Sequence, residues 1–179
     1  MDLTAYRCPE SRFAFHTTAR DNASSIRENG LQRSARNNAD TELVSEALIS
    51  RGYDDPFPFD RTEVIYCHLD ASIVDEVYKI CIEFANEPVI VVVDLDAVSA
   101  PVYLADMGIA SEFIDHHVAS AAATATNTFD EAVQEYCESI VRLDGIDSVP
   151  EQVAVFDDHP ELVVDGDIPA KAIVEIDKF

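Results

Sequence analysis

The sequence predicts an α+β fold in a single domain spanning residues 1–179. Three observations point to it. Hydrophobic residues make up 47% of the chain, enough for a real core at this length. The apolar runs at Val64–His68 and Pro88–Leu95 are rich in β-branched residues, as strands require. Stretches of helical period lie between and after them.

The elements follow in order. Arg12–His16 reads as a strand. Thr18-x-x-Asp21 behind it has the form of a capping box opening a short helix, which Gly30 ends in a left-handed conformation. That layout suits an anion pocket where a strand feeds a helix N-terminus with unsatisfied N–H groups. Asp40–Ser50 places Leu43, Ala47 and Leu48 at helical spacing, and Gly52 stops the helix. Asp54–Asp60 holds two prolines, which remove donors and fix the backbone, so it is a loop and a candidate functional one.

Val64–His68 is a strand and Ser72–Ala85 an amphipathic helix. Pro88–Leu95 has no polar alternation and predicts a central strand buried on both faces. Pro101–Leu104 is a further short strand, residues 106–125 are left unassigned, and Phe129–Leu143 is a helix. Short β segments at Gln152–Phe156, Glu161–Val164 and Ala172–Ile176 complete the pattern.

Charge narrows the setting. Twelve basic residues stand against 35 acidic ones, a formal charge of −23. Self-repulsion on that scale is tolerable chiefly where salt screens it, which predicts a halophilic, high-salt cytoplasm. A disordered acidic tail is excluded, because the carboxylates are dispersed among apolar residues. The N-terminus has no basic lead and apolar stretch, and no run is long enough to span a bilayer, so neither a signal peptide nor a membrane partner is expected.

Eight of the nine arginines, Arg7, Arg12, Arg20, Arg27, Arg33, Arg36, Arg51 and Arg61, fall in the first 61 residues. Such a cluster serves anionic ligands, although most of its members are expected to pair with local carboxylates. Cys8, Cys67, Cys81 and Cys137 show no C-x-x-C spacing and read as reduced, mostly buried thiols. Asp115-His116-His117 lacks the spacing of a ligand set, and Asp94-x-Asp96 reads as a cap or turn, so no metal site is predicted.

Three segments resemble the ADP-ribosyltransferase family. His16-Thr17-Thr18, with Asn22 six residues after the His and Gly30-Leu31 closing the helix, is similar to the first motif of DNA-targeting ADP-ribosyltransferase toxins and of tRNA 2′-phosphotransferases. Pro88–Asp96 resembles a strand that these enzymes place in mid-sheet, and Pro160–Ile173 resembles their closing strand and turn, in which a Glu begins an apolar strand. Residues 97–150 match poorly.

The resemblance implies split antiparallel β-sheets with flanking helices, and NAD as substrate. Cleaving the nicotinamide–ribose bond passes through an oxocarbenium-like state, which calls for a carboxylate to hold the ribose hydroxyls. Glu161 fits that role. His16, Thr17, Thr18 and Asn22 are the candidate dinucleotide contacts, with Tyr66 as the ring that stacks the nicotinamide. The toxins use an Arg beyond the first helix; Arg33, Arg36 and Arg51 are available, and Arg36 is assigned to the catalytic set. An imidazole and a carboxylate from opposite ends of the chain are then expected to share one dinucleotide-sized hollow.

The implied activity is NAD-dependent transfer of ADP-ribose to a macromolecular acceptor, a nucleic acid or a protein, in a toxin or viral-conflict setting. A partner antitoxin or a larger assembly stays open. Strong acidity argues against broad backbone-driven nucleic-acid binding, which depends on cationic charge. Two alternatives stand beside it: a non-catalytic binding or assembly module of the same fold, and an RNA 2′-phosphotransferase, which would need two Arg and a second His converging on the site.

Overall fold

The computed structural model describes residues 12–33, 57–61, 63–69, 87–106, 126–143 and 160–177. The apolar run after Glu87 sets the architecture. Val89, Ile90, Val91, Val92 and Val93 are each 3% exposed or less, so this strand, β3 (Pro88–Asp94), is covered on both faces. It pairs with β1 (Phe13–Ala19) on one side and β7 (Ile173–Asp177) on the other.

The remaining strands are β2 (Ile65–His68), β4 (Val102–Asp106), β5 (Val141–Arg142) and β6 (Pro160–Val164). Together they form a seven-stranded antiparallel sheet in the order β5-β4-β6-β2-β1-β3-β7. The described helices are α1 (Ala23–Asn29) and α2 (Thr126–Ser139), which makes the fold mixed α+β. Among the described residues no helix is long and apolar enough to cross a membrane.

Side chains alternate between the faces of a strand, and directly paired residues share a face. On one face Ala14, Cys67, Val91, Leu104, Leu162 and Val164 pack with Ala23 and Ile26 of α1 and with Leu31, Ile168 and Ala172. On the other, Tyr103 and Val163 meet Phe59, with Phe57, Val64, Tyr66 and Ile140 around them. The second face is the aromatic one, and α2 packs on its β4 side.

Local signals were overridden at two places. Strand β1 runs on to Ala19, beyond the expected end at His16, because Thr17, Thr18 and Ala19 pair with Ile90, Val89 and Pro88. The capping box therefore does not form. A 3-10 turn at Arg20–Asn22 intervenes, α1 starts only at Ala23, and Asn22 makes no side-chain cap. The anion pocket expected directly behind His16 loses its helix start, since ladder pairing outweighs a cap of about 1 kcal/mol. The expected helix Phe129–Leu143 instead occupies Thr126–Ser139 and gives way to β5, whose Val141 pairs with Leu104.

Elsewhere expectation and structure agree closely. Asp94 caps a 3-10 turn by accepting the Asp96 N–H at 3.1 Å, which ends β3 before Leu95. Gly30 ends α1 with φ +80, though its ψ of −172 is not that of a left-handed helical cap. Leu31 then forms a two-way backbone bridge with Ile168, at 2.9 and 2.8 Å, tying the two ends of the described chain together. The expected helices at Asp40–Ser50 and Ser72–Ala85 and the strand at Gln152–Phe156 lie outside the described residues.

Candidate functional site

The loop ahead of β2 brings an arginine into an aromatic enclosure. Prolines keep Phe57–Phe59 out of regular structure, and the chain turns so that Arg61 is buried, 9% exposed. Its guanidinium carbon lies 5.0 Å from the ring centre of Tyr136, 5.2 Å from Phe57 and 5.8 Å from Tyr66. Three ring faces around one delocalised cation replace part of the hydration it gave up. Burial works against the charge, but Tyr136, Tyr66 and Glu161 outweigh it and the Arg61 pKa is raised. The Tyr66 hydroxyl donates to the Arg61 carbonyl oxygen at 3.2 Å, and burial pushes that phenol up to about 12.

Glu161 sits beside this enclosure. The register sets it opposite His68 on β2 and Ala105 on β4, so it points to the aromatic face. It is half-buried, and the hydroxyl of the fully buried Tyr136 donates to its Oε2 at 3.2 Å. Burial holds the Glu161 carboxyl above the usual carboxylate range, opposed by the Arg61 charge and the Tyr136 hydrogen bond. A carboxylate kept partly dry beside a cation is suited to contacting hydroxyls or developing positive charge.

His16 reaches the same region from the neighbouring strand. Phe15 pairs with His68, so β1, β2 and β6 are consecutive where Phe15, His68 and Glu161 lie in one row. His16 Nδ1 donates to the carbonyl oxygen of Tyr66 at 2.8 Å, a bond that requires a proton on Nδ1 and orients the ring. Pleating nevertheless starts His16 and Glu161 from opposite faces. The expectation of one hollow holding both is corrected: they are neighbours across β2, joined through Tyr66.

Thr18 and Asn22 lie on the α1 side. The Asn22 amide donates to Thr18 Oγ1 at 3.0 Å, and both line a hollow of about 180 Å³ with Ser25, Ile26, Gly30, Leu31 and Gln32. Pockets for whole small ligands run to roughly 300–1,000 Å³, so this one suits a single ring or ribose. Thr17 faces the other way, toward the aromatic side. Its Oγ1 is buried and makes no hydrogen bond among the described residues.

Arg36 and Arg51 lie outside the described residues. Arg33 is engaged by Asp165 at 3.7 Å, and its backbone N–H by Asp167. Arg12 pairs with Asp94, Arg20 with Glu87, and Arg27 donates to the Ile176 carbonyl. Among the described arginines, Arg61 is the one beside Glu161. Sequence reasoning grouped Arg61 with seven other arginines expected to serve anions without assigning it to the site, and it passed over Tyr136. Among the described residues no group of three or more His, Cys, Asp or Glu could hold a metal ion. Comparison with family models, with curated proteins and with solved structures finds no match.

Proposed function

We propose that this chain transfers ADP-ribose from NAD to a macromolecular acceptor, nucleic acid or protein, on an ADP-ribosyltransferase-like α+β fold whose seven strands form one continuous sheet rather than the split sheets expected. One observation carries the reading. His16 and Glu161, from the first and last of the segments that resemble the family, flank Tyr66 on three adjacent strands, with His16 on the Tyr66 carbonyl and Glu161 beside Arg61.

The candidate residues divide between the two faces of a continuous sheet. Pairing of β1 with β2 is confined to Phe15 and His68 among the described residues, and beyond it a side chain takes the Tyr66 carbonyl in place of a backbone amide. On this reading the nicotinamide riboside lies at Tyr66 and Glu161 on the aromatic face, and the Thr18–Asn22 hollow is a separate ring- or ribose-sized site on the opposite face. The buried Thr17 hydroxyl has no hydrogen-bond partner among the described residues and lies on the aromatic face, available to the nicotinamide amide.

In this arrangement Glu161 accepts hydrogen bonds from ribose hydroxyls as the glycosidic bond opens, and Tyr66 lies against the leaving ring. The acceptor's nucleophile then takes the anomeric carbon, nicotinamide leaves, and the acceptor's proton goes to solvent. Among the described residues one arginine, Arg61, stands beside Glu161, where RNA 2′-phosphotransfer calls for two.

The test is direct. Purified protein is incubated with NAD at molar salt and free nicotinamide is measured by chromatography. Wild type is expected to release nicotinamide and Glu161→Gln to lose that activity; release no greater from wild type than from the variant overturns the proposal.

A further inference from the structure

Resting on that reading of the site, we infer that Tyr136 is a positioning residue: its hydroxyl holds one carboxylate oxygen of Glu161 while its ring braces Arg61, so that the second carboxylate oxygen is left to the ligand.

The geometry is specific. Tyr136 comes from α2, outside the segments that resemble the family, and it is fully buried although it carries a polar hydroxyl. Its ring stands edge-on to Phe57, with centres 5.8 Å apart and planes at 72°. That contact and the position under Arg61 at 5.0 Å leave the ring little freedom. The hydroxyl is thereby aimed at Glu161 Oε2, and among the described residues no hydrogen bond reaches Oε1. One residue thus sets the distance between the acid and the cation. Glu161 at the head of an apolar strand could otherwise turn toward solvent, and holding one oxygen selects a rotamer that keeps it at the enclosure.

Among the described residues the titratable groups around Glu161 are Tyr136 from α2, Tyr66, Cys67 and His68 from β2, and Arg61 from the segment ahead of β2. Asp60 adjoins Arg61, and Asp106 pairs with Pro160 next to Glu161. Of these, Arg61 and Tyr136 favour the carboxylate. Removing the hydroxyl therefore moves Glu161 further toward its protonated form.

The experiment titrates glutamate carboxyl carbons by 13C NMR on the full chain, with Glu161→Gln identifying the resonance. In Tyr136→Phe the Glu161 midpoint is expected to rise by about one pH unit, the size of a hydrogen bond to a charged group. Difluorotyrosine at 136, which preserves shape and donates more strongly, is expected to lower it, and it decides the question should the Phe variant not fold. With NAD, Tyr136→Phe should lower kcat about tenfold with KM nearly unchanged, and move the acid limb of the rate profile upward. Unmoved midpoints, or moved midpoints with an unmoved rate profile, overturn the inference. Wild type that releases no nicotinamide defeats the proposed function instead, and the titration still decides whether Tyr136 holds Glu161.

Discussion

His16 Nδ1 lies 2.8 Å from the carbonyl oxygen of Tyr66, so the imidazole of β1 is seated on the main chain of β2. The bond satisfies a carbonyl and orients the ring together. Replacing His16 with Ala leaves that oxygen to water or to nothing, and is expected to cost about 1 kcal/mol of stability. It should also raise KM for NAD more than it lowers kcat, since the proposed reading gives His16 a part in binding rather than in the chemistry. Denaturant titration and initial rates of nicotinamide release check both; a lowered kcat at unchanged KM would place His16 in the chemistry instead.

Glu161→Gln keeps the shape of the side chain and removes its charge. A loss of about 100- to 1,000-fold in kcat is expected, as for removal of one preorganised electrostatic partner. The working form is the carboxylate and its pKa is raised by burial, so wild-type activity should climb with pH through a limb above the usual carboxylate range. Stability moves oppositely. A carboxyl with a raised folded pKa is better held protonated, so wild type gives up stability as pH rises from the ordinary value to the raised one. The stability of Glu161→Gln relative to wild type should therefore increase across that window, and a difference independent of pH would be the contrary result.

How much of this was legible in the sequence depends on the range of the forces involved. Strand β3 was readable because five consecutive buried β-branched residues leave no other solution. Gly30 was readable as a helix end because few other residues take that backbone. The course of β1 past His16 was not, since it is fixed by pairing with Ile90, Val89 and Pro88 some 70 residues away, which overrides the Thr18–Asp21 cap signal. Glu161 could be singled out by its place before Leu162–Val164. Arg61 and Tyr136 could not, because their contact exists only after the loop ahead of β2 and helix α2 meet on one face of the sheet.

Arg61→Lys keeps the charge and loses the plane. A compact, strongly hydrated ammonium cannot lie against three rings as a guanidinium does, so a loss of roughly 1–3 kcal/mol in stability is expected. The Glu161 acid limb should shift little, because a cation remains nearby. In Arg61→Met, which removes the cation altogether, the limb should move upward. Equal limbs in the two variants would mean that Arg61 does not govern Glu161.

Thr17→Val tests the unmet hydroxyl. Its Oγ1 is buried with no hydrogen-bond partner among the described residues, so exchanging it for a methyl of the same shape should leave stability unchanged or slightly increased, within about 1 kcal/mol. The KM for NAD should nevertheless rise several-fold, because a ligand hydrogen bond is gone. Normal KM with a loss of stability would assign the hydroxyl to the fold.

Gly30→Ala tests the junction of the chain's two ends. At φ +80 and ψ −172 an L side chain is strained whatever its surroundings. Here the surroundings are closed as well: a Cβ would collide with the Ile168 carbonyl oxygen and approach Ala170 N at 2.7 Å and the Pro169 carbonyl carbon at 2.8 Å, all backbone atoms with no rotamer to change. Relief requires separating residue 31 from residue 168, which breaks both bonds of the Leu31–Ile168 bridge and opens one wall of the Thr18–Asn22 hollow. A destabilisation of about 3 kcal/mol or more is expected, with faster amide exchange at Leu31 and Ile168 than at the β3 valines. Urea titration at molar salt with hydrogen exchange resolves the two effects, and a wild-type midpoint for Gly30→Ala would show that the two segments do not pack this closely in solution.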